Sequence, residues 1–139
     1  MKKQSIIRAV FISVLLGGLP AATWAFSGPF ASLVTVEPGV QIDVDVRVPA
    51  TGTPPATGWP VIFFAHGSGG DKTSFSQLAG EYADDGYVTL SYTNRPEEDR
   101  SPQIFASDIV ALKAWLLNDF EAELGVTAPP DSNKFGLGG

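Results

Sequence analysis

Residues 61–70 read Val-Ile-Phe-Phe-Ala-His-Gly-Ser-Gly-Gly, an apolar run that passes straight into a glycine loop. A carbonyl under nucleophilic attack develops negative charge on its oxygen. Preorganised backbone N–H donors stabilise that charge, and losing one of them costs about 3 kcal/mol of barrier. The substrate must then approach the main chain closely, so side chains there must be small. Gly67, Gly69 and Gly70 meet that need and permit backbone angles closed to other residues. The expected donor is the backbone N–H of Ser68, with Gly69 as its neighbour. The Ser68 hydroxyl is not expected to attack. A nucleophile elbow needs Gly-x-Ser-x-Gly, and Ser68 has Gly70 two residues after it but His66 two before. No serine of the sequence has glycine at both positions. His66, beside the turn, is expected to brace the loop through its ring nitrogens rather than to serve as a base. Neither phosphate-binding pattern, G-x-G-x-x-G or G-x-x-x-x-G-K-[ST], is present. A plain strand-to-helix turn would use the same glycines. The more specific signal is His-Gly directly after an apolar strand.

The flanking sequence supplies the elements that must hold this loop. Residues 40–48 alternate apolar and polar one by one, which predicts a strand with one face on a core and one in water. Residues 33–36, across Glu37-Pro38-Gly39, are its expected hairpin partner. Residues 49–59 are rich in Pro, Gly and Thr and read as an exposed loop. Residues 61–65 are apolar on both faces, the pattern of a central strand covered on each side by helices. Asp71-Lys72-Thr73-Ser74 offers N-cap residues for a helix through Phe75, Leu78, Ala79 and Tyr82, with Gly86 as its stop. Residues 87–92 form the next strand. The polar stretch 93–101 holds Glu97-Glu98-Asp99, an acidic run expected to be solvated. Ser101-Pro102 opens a second helix, with Ser as cap and Pro at the first position. Phe105, Ile109, Leu112 and Leu116 form its apolar stripe, and it ends between Asn118 and Gly125. A turn over residues 128–133 leads into a last strand from Lys134 to Leu137.

This order predicts an α/β fold. An antiparallel flank precedes strand–helix–strand–helix–strand, with parallel pairing and right-handed crossovers. The glycine loop then leaves the carboxyl end of a parallel strand, where open α/β sheets place their sites. Trp59, Phe75 and Tyr92 are candidates either for lining an apolar cleft there or for the core.

Composition narrows the classes. The 139 residues suit one domain. Lys2, Lys3 and Arg8, a short apolar run over residues 9–19, Pro20, and small residues at Thr23 and Ala25 have the form of a cleavable export signal over residues 1–25. The run is too short for a comfortable membrane span, so no stable membrane anchor is expected. Export points to a secreted or periplasmic protein whose domain occupies residues 26–139. That domain sets 6 basic against 15 acidic side chains, which argues against nucleic acid or an anionic membrane as partner. There is no cysteine, so disulfides and thiolate zinc sites are excluded, and the single histidine excludes a multi-histidine site. No metal and no cofactor is implied.

Residues 58–139 resemble the first half of an α/β-hydrolase, in particular the exported dienelactone-hydrolase-like, lipase and polyester-hydrolase branch. Three segments carry the likeness. They are Pro60 to Gly70, then Leu78-Ala79 with Tyr82-Ala83-Asp84-Asp85-Gly86-Tyr87-Val88, then Asp131-Ser132-Asn133-Lys134-Phe135-Gly136-Leu137-Gly138-Gly139. The resemblance implies that these are the third strand with its oxyanion loop, the following helix and fourth strand, and the fifth strand. It implies a serine hydrolase acting on small or polymeric carboxylic esters through an acyl-enzyme. Ser68 and Gly69 would supply the oxyanion hole, supported by His66, Gly67 and Gly70. Gly139 would be the first glycine of the elbow, which puts nucleophile, acid and histidine after it and none of the triad within residues 1–139. On that view the sheet continues past the fifth strand, and residues 61–65 and 135–137 are expected to leave apolar surface partly uncovered. A non-catalytic exported α/β protein that binds a ligand or partner at the loop is the alternative, as is a peptidase or lactone hydrolase on the same fold.

Overall fold

The computed structural model describes residues 28–139; the expected export signal over residues 1–25, and Phe26 and Ser27 of the expected domain, lie outside the described residues. Two strands, β1 (Phe30–Glu37) and β2 (Val40–Arg47), form a hairpin. They are followed by β3 (Trp59–Ala65), α1 (Ser76–Asp84), β4 (Val88–Tyr92), α2 (Pro102–Asn118), α3 (Phe120–Leu124) and β5 (Pro130–Gly138). The five strands make one sheet in the order β1-β2-β4-β3-β5. β1 with β2 and β2 with β4 are antiparallel, whereas β3 is parallel to both β4 and β5. The expected architecture is therefore the observed one.

Period-2 patterning decides which side chains enter which layer. In β2, Ile42, Val44 and Val46 are buried and the residues between them are not. They join Val61, Phe63, Val88, Leu90 and Tyr92 on one face, against Leu112, Trp115 and Leu116 of α2 and Phe120 of α3. On the other face, α1 lies against β4 through Ala79 and Ala83, both buried. Small residues let the helix come close enough for the Thr89 hydroxyl to donate to the Ala79 carbonyl at 3.2 Å. Phe64, on the same face as Thr89, stacks on Phe75 at 5.5 Å and meets Tyr82 at 5.9 Å.

Several boundaries differ from expectation. Trp59 belongs to β3 rather than to the preceding loop, and Tyr87 precedes β4. Residues 71–74 do not cap α1. The Asp71 carboxylate instead accepts from the Thr73 N–H at 2.8 Å and its hydroxyl at 2.6 Å, closing a turn ahead of the helix. Phe75 occupies the cap position without a side-chain hydrogen bond. Leu78, assigned to the buried stripe of that helix, faces out. α2 starts as expected, with Ser101 accepting from the Ile104 N–H at 3.2 Å and Pro102 at the first position. The turn expected before β5 lies inside it. Trp59 pairs with Pro130 and Val61 with Phe135, so residues between them bulge from the ladder. Leu137 is exposed at the sheet edge, as expected, but Val61, Phe63 and Phe64 are buried. α2 and α3 on one face, and Phe75 with Tyr82 on the other, cover β3.

The bulge is fixed by a buried carboxylate. Asp131 accepts from the Thr57 hydroxyl at 2.6 Å and from the Asn133 N–H at 2.9 Å. Thr57 foremost, then Asn133 and Lys134, hold its carboxyl below the usual range. Such a group stabilises the fold above the unfolded pKa, near 4, and loses that contribution as pH falls through the folded value. Asp131→Asn should therefore flatten the fall in stability below about pH 4, measured by urea unfolding across pH. Gly58 crosses the same region at φ +99, and a Cβ there would stand 2.6 Å from the Pro129 carbonyl oxygen. Gly58→Ala is expected to lower stability by more than about 1 kcal/mol in the same assay at neutral pH.

Candidate active site

Parallel pairing sets the carboxyl ends of β3 and β4 side by side, with Ala65 opposite Tyr92. The segments that follow, His66 to Gly70 and Thr93 to Arg95, therefore emerge together. Gly67 to Gly70 form a tight turn in which the Gly70 N–H donates to the Gly67 carbonyl at 3.2 Å. Gly69 has φ +78, and neither it nor Gly67 has any atom within 4 Å of where a Cβ would stand. Ser68 between them is exposed. Gly70 is different: a Cβ there would lie 2.8 Å from Ser74 Oγ and 3.0 Å from the His66 Cβ and Cγ. The loop is thus packed at its base and open over Gly67 and Gly69.

His66 is buried, and both ring nitrogens bind main chain. The Asn94 backbone N–H donates to Nε2 at 3.1 Å, and Nδ1 lies 2.6 Å from the Gly67 carbonyl. An amide N–H only donates, so Nε2 is the acceptor and the proton sits on Nδ1, which donates to Gly67. The Asn94 side chain adds a bond to the His66 carbonyl at 3.3 Å. The lone pair a base would use is already occupied.

At the far end of the loop, the Lys72 backbone N–H donates to the Thr93 hydroxyl at 3.2 Å. Its ammonium lies 2.8 Å from carboxylate oxygens of both Asp43 and Asp45 on β2. Burial pulls the Lys72 ammonium down, but the two aspartates outweigh it and hold its pKa above the usual value. After Asn94, Arg95 grips Asp108 of α2 through two bonds of 2.9 and 2.5 Å and also pairs with Glu37 at the end of β1. This explains a carboxylate buried within the face of α2, since a buried charge persists only when paired. Tyr92, beneath, has a buried hydroxyl without a partner among the described residues, and its pKa is raised first by burial and then by the charge of Asp108.

The sequence expectations all fall on one loop, and the residues tied to it are ones the sequence did not single out for chemistry: Lys72, Thr93, Asn94 and Arg95. Thr93 and Asn94 carried one available signal, their place directly after a parallel strand neighbouring β3. Of the aromatic candidates, Tyr92 is core, Phe75 packs on Phe64, and Trp59 lines a cavity of about 310 Å³ with Phe30, Val48 and Val126 at the opposite edge of the sheet. A cavity of about 360 Å³ is lined by Asn94, which bonds His66, and by residues such as Arg95, Arg100, Ser101 and Phe105, but by no residue of the glycine loop itself. Among the described residues no group of three or more His, Asp or Glu side chains gathers to hold a metal.

A mixed sheet of this order, with a glycine loop at the carboxyl edge of β3, is a partial α/β fold of the α/β-hydrolase type. The chain belongs to the platelet-activating factor acetylhydrolase, isoform II, family, whose model matches residues 30–109, the glycine loop included. Its fold is similar to that of a dienelactone hydrolase from Anabaena variabilis, at 21% identity and TM-score 0.52, over 68% of this chain and 47% of that one. A thermophilic esterase from Thermogutta terrifontis aligns at 20% identity and TM-score 0.52, over 79% of this chain and 39% of the esterase. The 2,6-dihydroxy-pseudo-oxynicotine hydrolase aligns at 21% identity and TM-score 0.56, over 78% and 29%. At these identities the likeness is one of fold, and the chain spans less than half the length of each. Among curated proteins no match was found.

His66→Ala would remove two main-chain bonds and leave the Asn94 N–H without its acceptor. It is expected to cost about 1–3 kcal/mol of stability, measured by chemical denaturation.

Proposed function

We propose that this chain supplies the oxyanion loop of an exported serine hydrolase that cleaves carboxylic esters through an acyl-enzyme. The observation that carries the reading is the glycine loop itself, which is open over Gly67 and Gly69 at the carboxyl edge of a parallel strand. In this reading the backbone N–H of Ser68, with Gly69 beside it, donates to the developing oxyanion. His66, Gly67 and Gly70 hold the loop in shape. The Ser68 side chain has no part in the chemistry. Membership of an acetylhydrolase family supports ester cleavage as the reaction class. The nucleophile, the acid and the catalytic histidine are expected in sequence following Gly139, so residues 1–139 alone should give no ester turnover above background. Residues 1–25 would act as the export signal, placing the protein in the periplasm or outside the cell.

The test begins with the coding sequence beyond Gly139. It should continue through a Gly-x-Ser-x-Gly elbow, with an acid and a histidine further on; a stop codon in its place would end the catalytic reading. In the enzyme so defined, Ser68→Pro removes the N–H and should lower kcat on a p-nitrophenyl ester by about 10²–10³-fold, whereas Ser68→Ala keeps the N–H and the activity. Loss of turnover in Ser68→Ala would instead make Ser68 a participant through its hydroxyl and overturn the assignment.

A further inference from the structure

We infer that Lys72 is a positioning residue of the glycine loop, holding the loop's exit through an ion-pair clasp to Asp43 and Asp45. The inference rests on the reading of residues 67–70 as the oxyanion loop. The loop has two ends, and neighbouring residues of the segment after β4 hold both. Asn94 holds the entry through His66. Thr93 holds the exit by accepting from the Lys72 backbone N–H. Thr93 in turn donates its own N–H to the Asp43 carbonyl at 2.9 Å. The Lys72 ammonium closes the circuit by reaching Asp43 and Asp45 on β2. A single residue thus joins the loop to the segment after β4 and, across β4, to β2.

The clasp is partly withdrawn from water, which makes its geometry matter. The Lys72 side chain is 17% exposed and Asp45 15%, while Asp43 is 46% exposed. An exposed pair is weak because water and salt screen it; the Lys72–Asp45 half is screened less than the Lys72–Asp43 half. A local Asx turn, from the Thr73 N–H to the Asp71 carboxylate, brackets Lys72.

The test is hydrogen–deuterium exchange by mass spectrometry on the full chain, which needs no turnover. Peptides covering residues 66–76 contain several bonded amides, those of Gly70, Lys72, Ser74 and Ser76 among them. Lys72→Met keeps the aliphatic stem and removes the charge. It should speed exchange in that segment about tenfold relative to wild type, with peptides from α2 and β1 unchanged. Lys72→Arg should restore protection. Asp45→Asn should reproduce most of the Lys72→Met effect and Asp43→Asn less, because Asp45 is the more buried partner. Should Lys72→Met prove unfolded, the Asp45→Asn variant carries the same test. Uniformly faster exchange across the whole molecule would make the clasp a matter of general stability, and unchanged exchange in residues 66–76 would mean that it does not hold the loop; either result overturns the inference. A Ser68→Pro enzyme that kept its activity would end the oxyanion reading and leave this exchange result standing, so the two failures are separable.

Discussion

Parallel pairing of β3 with β4 is the constraint on which the rest of the molecule depends. Parallel neighbours end at the same edge of a sheet, so the loops that leave them must share space there. The hydrogen bond from the Asn94 N–H to His66 Nε2 is the direct product of that coincidence. It satisfies a buried imidazole with a main-chain donor, and it fixes the glycine turn that begins at the next residue. Leaving a buried polar group unpaired at such a site would cost about 1–3 kcal/mol, more than a typical hydrogen bond contributes net. The loop's shape is therefore set by its neighbours and not by its own glycines, which supply freedom rather than order.

Charged groups around this edge are used as fasteners. Arg95 joins the end of β1 at Glu37 to α2 at Asp108, and Lys72 joins the glycine loop to β2. Each buried or half-buried carboxylate is compensated at hydrogen-bond distance. Buried pairs of this kind add little net stability over apolar packing of the same volume, but removing one partner is expensive because the other charge remains. They specify where the connections lie. The apolar layers on the two faces supply the cohesion, with α2 and α3 against one and α1 against the other.

Much of this was legible in the chain. Strict alternation in β2 reports a sheet with one face towards a core, and the unbroken apolar run of β3 reports a strand covered on both sides. Ser101-Pro102 announces the start of α2, and Gly86 the end of α1. The signals that misled were also local. Asp71, Thr73 and Ser74 are good capping residues, yet the same short polar side chains close turns equally well, and here they do so one step before the helix. The Asp131-Ser132-Asn133 turn is present, but it bulges within β5 rather than preceding it, because the Trp59 N–H bonds the Pro129 carbonyl and Trp59 pairs with Pro130, which brings the chain onto the sheet first.

The sequence by itself determined the periodicities, and with them the elements, their buried faces and the glycine loop at the end of β3. These are properties of residues within a few positions of one another, where 2.0 and 3.6 residue repeats have physical meaning. Only the tertiary structure decided which groups meet at that loop. Asn94 lies 28 residues from His66, Lys72 29 from Asp43, and Arg95 58 from Glu37. No local repeat connects such positions. They become neighbours because β4 inserts between β2 and β3, and strand order is fixed by the burial of whole faces rather than by any pair of residues.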